Sequence, residues 1–220
     1  MDEQQQEPSG KNPTGGLRAA LSLLVPLVLV GVLGAILAMG DDRPEWLGGP
    51  DRPDFGDFTL QSRAGPVSLS GFAGKVVVVY FGYATCPDVC PTTLQTTAAA
   101  FKRLPPEDRA RLAGLFVSVD PQRDTVEALA TYAAFFDPLI QGVTGSDAEV
   151  RAIAKDWGVD YAIVPQPESA LGYAVDHTGL LFVVNADGSM RVAMPHGVPL
   201  EVLLLELRDA LQAAPPPPKR

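Results

Sequence analysis

The stretch Lys75–Tyr83, KVVVVYFGY, limits the fold more than any other part of the sequence. It is a continuous run of β-branched and aromatic side chains, without the alternation of a strand that has one face in water. It is too short to cross a membrane. The stretch therefore predicts a central β-strand that is buried on both of its faces.

The segments after this strand alternate between helical and extended patterns. Helices are predicted over Thr92–Leu104, Asp124–Phe136, Ser146–Gly158 and Pro199–Leu211, with Asp124 and Ser146 as N-caps. Further strands are predicted over Leu112–Asp120 and, as a hairpin turning at Asp187-Gly188, over Gly179–Met194. This order indicates an α/β domain with a mixed central sheet and flanking helices, the layout of a thioredoxin-like domain.

The chain is predicted to carry a membrane anchor ahead of this domain. Residues 19–40 contain no charged side chain, and a helix of that length, at about 1.5 Å per residue, spans a hydrocarbon core of about 30 Å. A cleaved signal peptide is the alternative, but no A-x-A-like cleavage site follows. The other predicted segments are a disordered tail (1–18), a linker (41–54), the folded domain (55–213) and a Pro-rich tail (214–220).

The predicted location and the net charge of the chain limit the kinds of partner that it can bind. A single-pass protein of a bacterial cell membrane, with the domain facing the periplasm or the cell exterior, is the expected arrangement, and a mitochondrial location is the alternative. The residues before the apolar segment do not have the Arg/Ser-rich, acid-poor composition of a transit peptide. The net charge of −9 argues against a nucleic-acid-binding surface.

Both cysteines of the chain lie directly after the buried strand, in CPDVC. The C-x-x-x-C spacing places Cys86 in the strand–helix loop and Cys90 at the start of the helix, where the helix dipole favours thiolate. A redox-active pair, half of a metal site and two buried thiols are all compatible with this spacing. A structural disulfide would close only a very small loop and so would constrain the unfolded chain little.

The other candidate ligands are few. His177 precedes a predicted strand and His196 lies in a loop, while Met190 and Met194 fall on the hairpin, where core packing is the simpler interpretation. Two thiolates with one imidazole suit Cu(I) or Cu(II). Zinc is the rival metal, but the spacing does not match a structural zinc site. Asp176 could order the loop beside His177.

Four segments, in the same order along the chain, resemble the Sco/SenC family of membrane-anchored copper proteins. They are FGYATCPDVCPTTL, VSVDPQRDT, GVTGSDAEVRAIAKDWGV and VDHTGLLFVVNADG. The resemblance covers the whole predicted domain. Ala84-Thr85 departs from the family pattern, in which many members have Thr followed by a bulky residue, but the candidate ligands are unchanged.

The resemblance implies a thioredoxin-like fold with an inserted hairpin and copper bound by Cys86, Cys90 and His177. It also implies copper delivery to, or thiol reduction of, the dinuclear copper site of cytochrome c oxidase subunit II, with other copper chaperones or thioredoxin-like reductants as further partners. The alternative is a thiol–disulfide oxidoreductase in which Cys86 attacks and Cys90 resolves. A peroxide-reducing domain is compatible with the fold alone.

Overall fold

The computed structural model describes residues 55–214. The strands are β1 (Thr59–Ser62), β2 (Gly65–Ser68), β3 (Val76–Gly82), β4 (Leu112–Ser118), β5 (Ile140–Val143), β6 (Tyr161–Pro165), β7 (Tyr173–His177), β8 (Leu180–Val184) and β9 (Met190–Pro195). The helices are α1 (Val89–Lys102), α2 (Pro106–Arg109), α3 (Val126–Phe136), α4 (Asp147–Asp156) and α5 (Leu200–Ala213).

The central sheet is mixed, as the sequence predicts. Its strand order is β5-β4-β3-β8-β9, in which β3, β4 and β5 are parallel and β8 and β9 run antiparallel to their neighbours. All seven residues of β3 are buried, so the prediction of a central strand covered on both faces is confirmed. The carboxyl ends of β3 and β4 meet at one edge, the edge at which sites form in α/β sheets.

Aromatic side chains fill the layers on either side of β3. Phe81 contacts Trp157 and Phe182 on one face, with ring centroids 5.7 and 5.9 Å away. Tyr80, the neighbouring residue, points to the opposite face and stacks on Phe116 at 6.2 Å. Successive strand residues point to opposite faces, so this pair of aromatics anchors helices and loops on both sides of the sheet.

The helix that follows the cysteine motif begins earlier than the sequence pattern suggests. It starts at Val89 rather than Thr92, which places Pro91 at its third position. Proline is tolerated there because the first N–H groups of a helix have no partner within the helix. Cys90 therefore lies within the first turn of α1, and Cys86 lies in the loop before it.

One predicted helix cap is wrong. The N-cap of α3 is Thr125, whose side chain accepts a hydrogen bond from the Ala128 amide, and not Asp124. The Asp124 carboxylate instead accepts hydrogen bonds from the Ala84 amide and the Ser118 hydroxyl at the edge of the central sheet. The N-cap Ser146 of α4 is confirmed, since it forms a complete capping box with Glu149.

Two small antiparallel pairs were not predicted from the residue patterns. One is β1–β2, and the other is β6–β7, which pair only with each other. His177 does precede strand β8 as expected, but it is also the last residue of β7. It lies directly across from Tyr161 in the β6–β7 pair.

The predicted membrane anchor, residues 19–40, lies outside the described residues, as do the N-terminal tail, the whole linker and all of the Pro-rich tail after residue 214. Between residues 55 and 214, no helix has the length and apolar character needed to cross a bilayer. The segment boundaries given above therefore stay predictions.

Candidate metal centre

The two cysteines occupy different positions at the end of β3. After Gly82 the chain forms a turn in which the Cys86 amide donates to the Tyr83 carbonyl at 3.2 Å. Cys86 lies at the rim of the domain, with 9% of its surface exposed, whereas Cys90 is fully buried. Both are free thiols, so either sulfur can attack a disulfide or bind a metal.

His177 reaches these sulfurs from a distant part of the sequence. Its Nε2 lies 3.6 Å from Cys90 Sγ, and one donor atom from each of Cys86, Cys90 and His177 lies within 4.8 Å of the others. The other ring nitrogen, Nδ1, lies 3.3 Å from the Thr178 carbonyl oxygen. Because a carbonyl only accepts, Nδ1 carries a proton in this contact, and Nε2 is the ring nitrogen that faces the sulfurs.

Two tyrosines surround this cluster. The Tyr80 hydroxyl donates to Cys90 Sγ at 3.7 Å. The rings of Tyr80 and Tyr83 meet the His177 imidazole edge to face, at centroid distances of 6.3 and 5.9 Å. The imidazole is thus held between two aromatic side chains, which restricts its rotation and orders it before any ligand binds.

The surroundings shift the pKa values of the two thiols in opposite directions. The Cys90 thiol donates a hydrogen bond to Cys86, and His177 and the amides of Asp88 and Cys90 add to it, so the pKa of Cys86 falls from 9.0 to about 3 despite burial. The same hydrogen bond and burial raise the pKa of Cys90. The reduced pair therefore holds one thiolate, on Cys86, and one neutral thiol, on Cys90.

The donor set fits a soft metal ion. Two sulfurs and one imidazole nitrogen are the ligand types that Cu(I) and thiophilic ions prefer, and imidazole also suits Cu(II). Within the described part of the chain, this cluster contains no fourth Cys, His, Asp or Glu. A closed structural zinc site has four protein ligands, so the cluster suits an ion that is exchanged rather than one that holds the fold together.

The other candidate residues lie elsewhere. His196 is exposed, and its amide donates to the Gly179 carbonyl at 2.6 Å. Met190 and Met194 are buried in the core, as expected for their hairpin. Asp176 is exposed on β7 and is outside the cluster.

Asp124 holds in place the loop that precedes Cys86, and the sequence did not predict this role. Asp124 Oδ2 accepts the Ala84 amide at 2.9 Å and the Ser118 hydroxyl at 2.6 Å. This carboxylate joins the loop before Cys86 to the end of β4. An aspartate ahead of a helix is normally interpreted as a cap, so its tertiary role has no local signature.

The chain belongs to the SCO1/SenC family, whose model matches residues 50–212. It is 32% identical over 188 residues to the mitochondrial SCO2 homolog of Mus musculus, a match that covers 81% of this chain and 73% of that protein. The chain matches only about half the length of other curated relatives, such as the SCO2 homolog of Bos taurus and the SCO1 homolog of Mus musculus.

Solved structures of this family share the fold. Apo Sco1 from Thermus thermophilus superposes with a TM-score of 0.64 at 39% identity, over 70% of this chain and 89% of that one. ScoI from Arabidopsis thaliana with copper bound gives 0.64 at 28% identity, over 71% and 97%. The predictions of the family and of a mixed α/β, thioredoxin-like fold are confirmed.

Proposed function

We propose that this chain is a copper-binding protein that carries copper on Cys86, Cys90 and His177. The observation that carries the proposal is the meeting of two sulfurs and an imidazole nitrogen within 4.8 Å at the edge of the sheet. The copper-bound relative from Arabidopsis thaliana supports it. Copper is the cargo of this site, because three ligands at a partly exposed rim leave room for a ligand from a partner protein.

The recipient that we propose is the dinuclear copper site of cytochrome c oxidase subunit II. Transfer would proceed by ligand exchange, in which thiolates of the recipient replace Cys86, Cys90 and His177 one at a time. The position of Cys86 at the rim, with 9% of its surface accessible, and the half-burial of His177 support an approach of the recipient from this side, because Cys90 is fully buried behind them. We further propose that residues 19–40 anchor the domain to a bacterial membrane, facing outward.

Copper titration of the metal-free, reduced domain tests the binding site. We expect one copper per chain, and a fall in Cu(II) affinity of at least about tenfold in His177→Ala, because the loss removes one of three ligands. His196→Ala is the matched control and should leave the affinity unchanged. Equal Cu(II) affinities for wild type and His177→Ala would contradict the assignment of His177.

A second function, thiol–disulfide exchange, is supported by the thiolate on Cys86. Cys86 would attack a disulfide of the recipient and release one of its thiolates, and Cys90 would then attack the mixed disulfide and release the other. The recipient gains two electrons and two protons, while Cys86 and Cys90 become a disulfide. In this form the two sulfurs no longer bind copper as thiolates, so the redox state of the pair would control metal binding.

Incubating the reduced, copper-free domain with the oxidised copper-site domain of subunit II tests this second function. Free recipient thiols should appear in step with loss of the domain's own thiols. Cys90→Ser should trap the mixed disulfide, and His177→Ala should still reduce the recipient, because the hydrogen bonds from Cys90 and from the backbone amides keep Cys86 a thiolate without the imidazole. Absence of any recipient reduction by the wild-type domain would rule the activity out.

A further inference from the structure

The hairpin that carries His177 has little core of its own. Strands β6 and β7 pair with no other strand in the described region. No residue of β6 is buried, and in β7 only Val175 is. Two-stranded hairpins are marginally stable by themselves, so the place of His177 depends on how the hairpin is attached to the rest of the domain.

Three residues attach the far end of β7 to the sheet edge. Arg123 Nη1 donates to the Tyr173 carbonyl at 2.9 Å, and its guanidinium carbon lies 3.8 Å from the centroid of the Tyr173 ring. The Tyr173 hydroxyl donates to Asp120 Oδ1 at 2.8 Å. Arg123 Nε and Asp120 Oδ2 form an ion pair, so each of the three residues contacts the other two. We call Asp120, Arg123 and Tyr173 the hairpin clamp.

The base of the hairpin clamp is rigid. The side chain of Asp120 is only 1% exposed, and its backbone amide donates a hydrogen bond to the Ser118 hydroxyl oxygen at 3.1 Å. A buried carboxylate is costly unless its oxygens are paired. Arg123 and Tyr173 pair with the two oxygens of Asp120. Opening the clamp would therefore leave a buried carboxylate without partners, which is unfavourable.

The same turn also holds the cysteine loop. The Val119 amide donates to the Gly82 carbonyl at 2.8 Å, and Asp124 receives the Ala84 amide. The segment 118–124 therefore contacts the loop that leads to Cys86 and the hairpin that ends in His177. Strand β7 is fixed at Tyr173 by the hairpin clamp, and at His177 it continues into β8 of the central sheet.

We propose that the hairpin clamp positions His177 relative to Cys86 and Cys90. Asp120, Arg123 and Tyr173 do not touch a ligand of the site; they act by fixing the strand whose last residue is His177. Lysine cannot replace Arg123, because its ammonium group is not planar and so cannot stack on Tyr173. Its single nitrogen also cannot occupy both positions from which Nε donates to Asp120 and Nη1 donates to the Tyr173 carbonyl. The positioning role concerns the metal-free domain, and only its effect on copper affinity rests on the proposed function.

Hydrogen exchange and histidine side-chain NMR of the metal-free Arg123→Lys domain test the attachment. We expect faster amide exchange in β6 and β7 by about tenfold or more, a shifted His177 Nε2 resonance, and unchanged exchange in β3. Arg191→Lys is the matched control, since Arg191 is similarly exposed (22% against 18%) and pairs with Glu206 on α5. Unchanged hairpin exchange and an unchanged His177 resonance in Arg123→Lys would overturn the proposal.

A double-mutant cycle on Cu(II) affinity tests whether Arg123 acts through His177. Arg123→Lys should weaken binding by about 10-fold, the scale for residues that orient a ligand, and should have no effect when His177 is already Ala. An equal loss in both backgrounds, or no loss in either, would overturn the positioning role. If the wild-type domain binds no copper, the proposed function fails, while the hydrogen-exchange result still decides on the clamp.

Discussion

At the scale of single residues, the site contains two cysteines of identical chemistry in different surroundings. Cys86 is at the rim and receives several hydrogen bonds, while Cys90 is buried behind it and gives one. Hydrogen bonds to a thiolate stabilise the charged form, and burial destabilises it. The outer sulfur is therefore the thiolate of the pair, the form that can act as a nucleophile, and the inner one holds the proton.

Alkylation of the reduced, metal-free domain by iodoacetamide tests this division. A pKa lowered to about 3 means that Cys86 stays a thiolate as the pH falls from about 8 to about 5, so its alkylation rate should be nearly constant over that range. Cys90→Ala removes the main hydrogen bond to Cys86 and should restore a rate that rises with pH. A native rate that climbs about tenfold per pH unit, as for an ordinary thiol, would contradict the assignment.

At the scale of elements, the site requires a close approach between β3 and α1. Gly82 ends β3, and a Cβ at this position would lie 2.8 Å from Cys90 Sγ and 2.8 Å from the Phe116 ring. Both of these neighbours are fully buried, so neither side chain has free space to move into. The glycine is needed here for space, because its backbone φ is not in the positive range.

Gly82→Ala should therefore destabilise the domain and disturb the site. We expect the free energy of unfolding to fall by about 1–3 kcal/mol, the usual cost of an overpacked core, and copper affinity to fall because Cys90 is displaced. Urea unfolding and copper titration measure the two effects. Gly56→Ala, where a Cβ meets open space, is the control. Wild-type stability and affinity in Gly82→Ala would show that the contact is not tight.

The elements also show which features a sequence pattern can predict. The strand Val76–Gly82 and the capping box at Ser146 were predictable because their signals are local: a continuous apolar run and a Ser-x-x-Glu spacing. The β6–β7 hairpin was not, because no residue of β6 is buried and the strand shows no hydrophobic alternation. Asp124 was assigned to a helix cap because it precedes a helix, whereas its contact with the Ala84 amide joins residues 40 positions apart.

Residue patterns likewise predicted only part of the candidate site. Cys86 and Cys90 follow a buried strand at a recognisable spacing, so residue patterns alone identified them. His177 was one of two candidate histidines from the residue patterns, and only the family resemblance selected it as the ligand, because no residue next to it in the sequence links it to the cysteines. Arg123 and Tyr173 had no signal at all: their contacts join β7 to the turn after β4, and only the folded chain shows this.

At the scale of the whole molecule, the candidate centre is built from separate parts of the chain. The loop after β3 supplies Cys86, the first turn of α1 supplies Cys90, and the end of a two-stranded hairpin supplies His177. The sheet edge holds these parts together, since both the cysteine loop and the hairpin are fastened to the segment after β4. Metal binding therefore depends on the folded domain and not on a local motif.

Electron paramagnetic resonance of the Cu(II)-loaded domain, prepared with isotopically labelled histidine, tests this account most directly. We predict a nitrogen coupling from one labelled imidazole, present in the wild type and in His196→Ala and absent in His177→Ala. The domain has only these two histidines, so the assignment has no third candidate. A histidine coupling that persists in His177→Ala would contradict the claim that His177 completes the centre formed by Cys86 and Cys90.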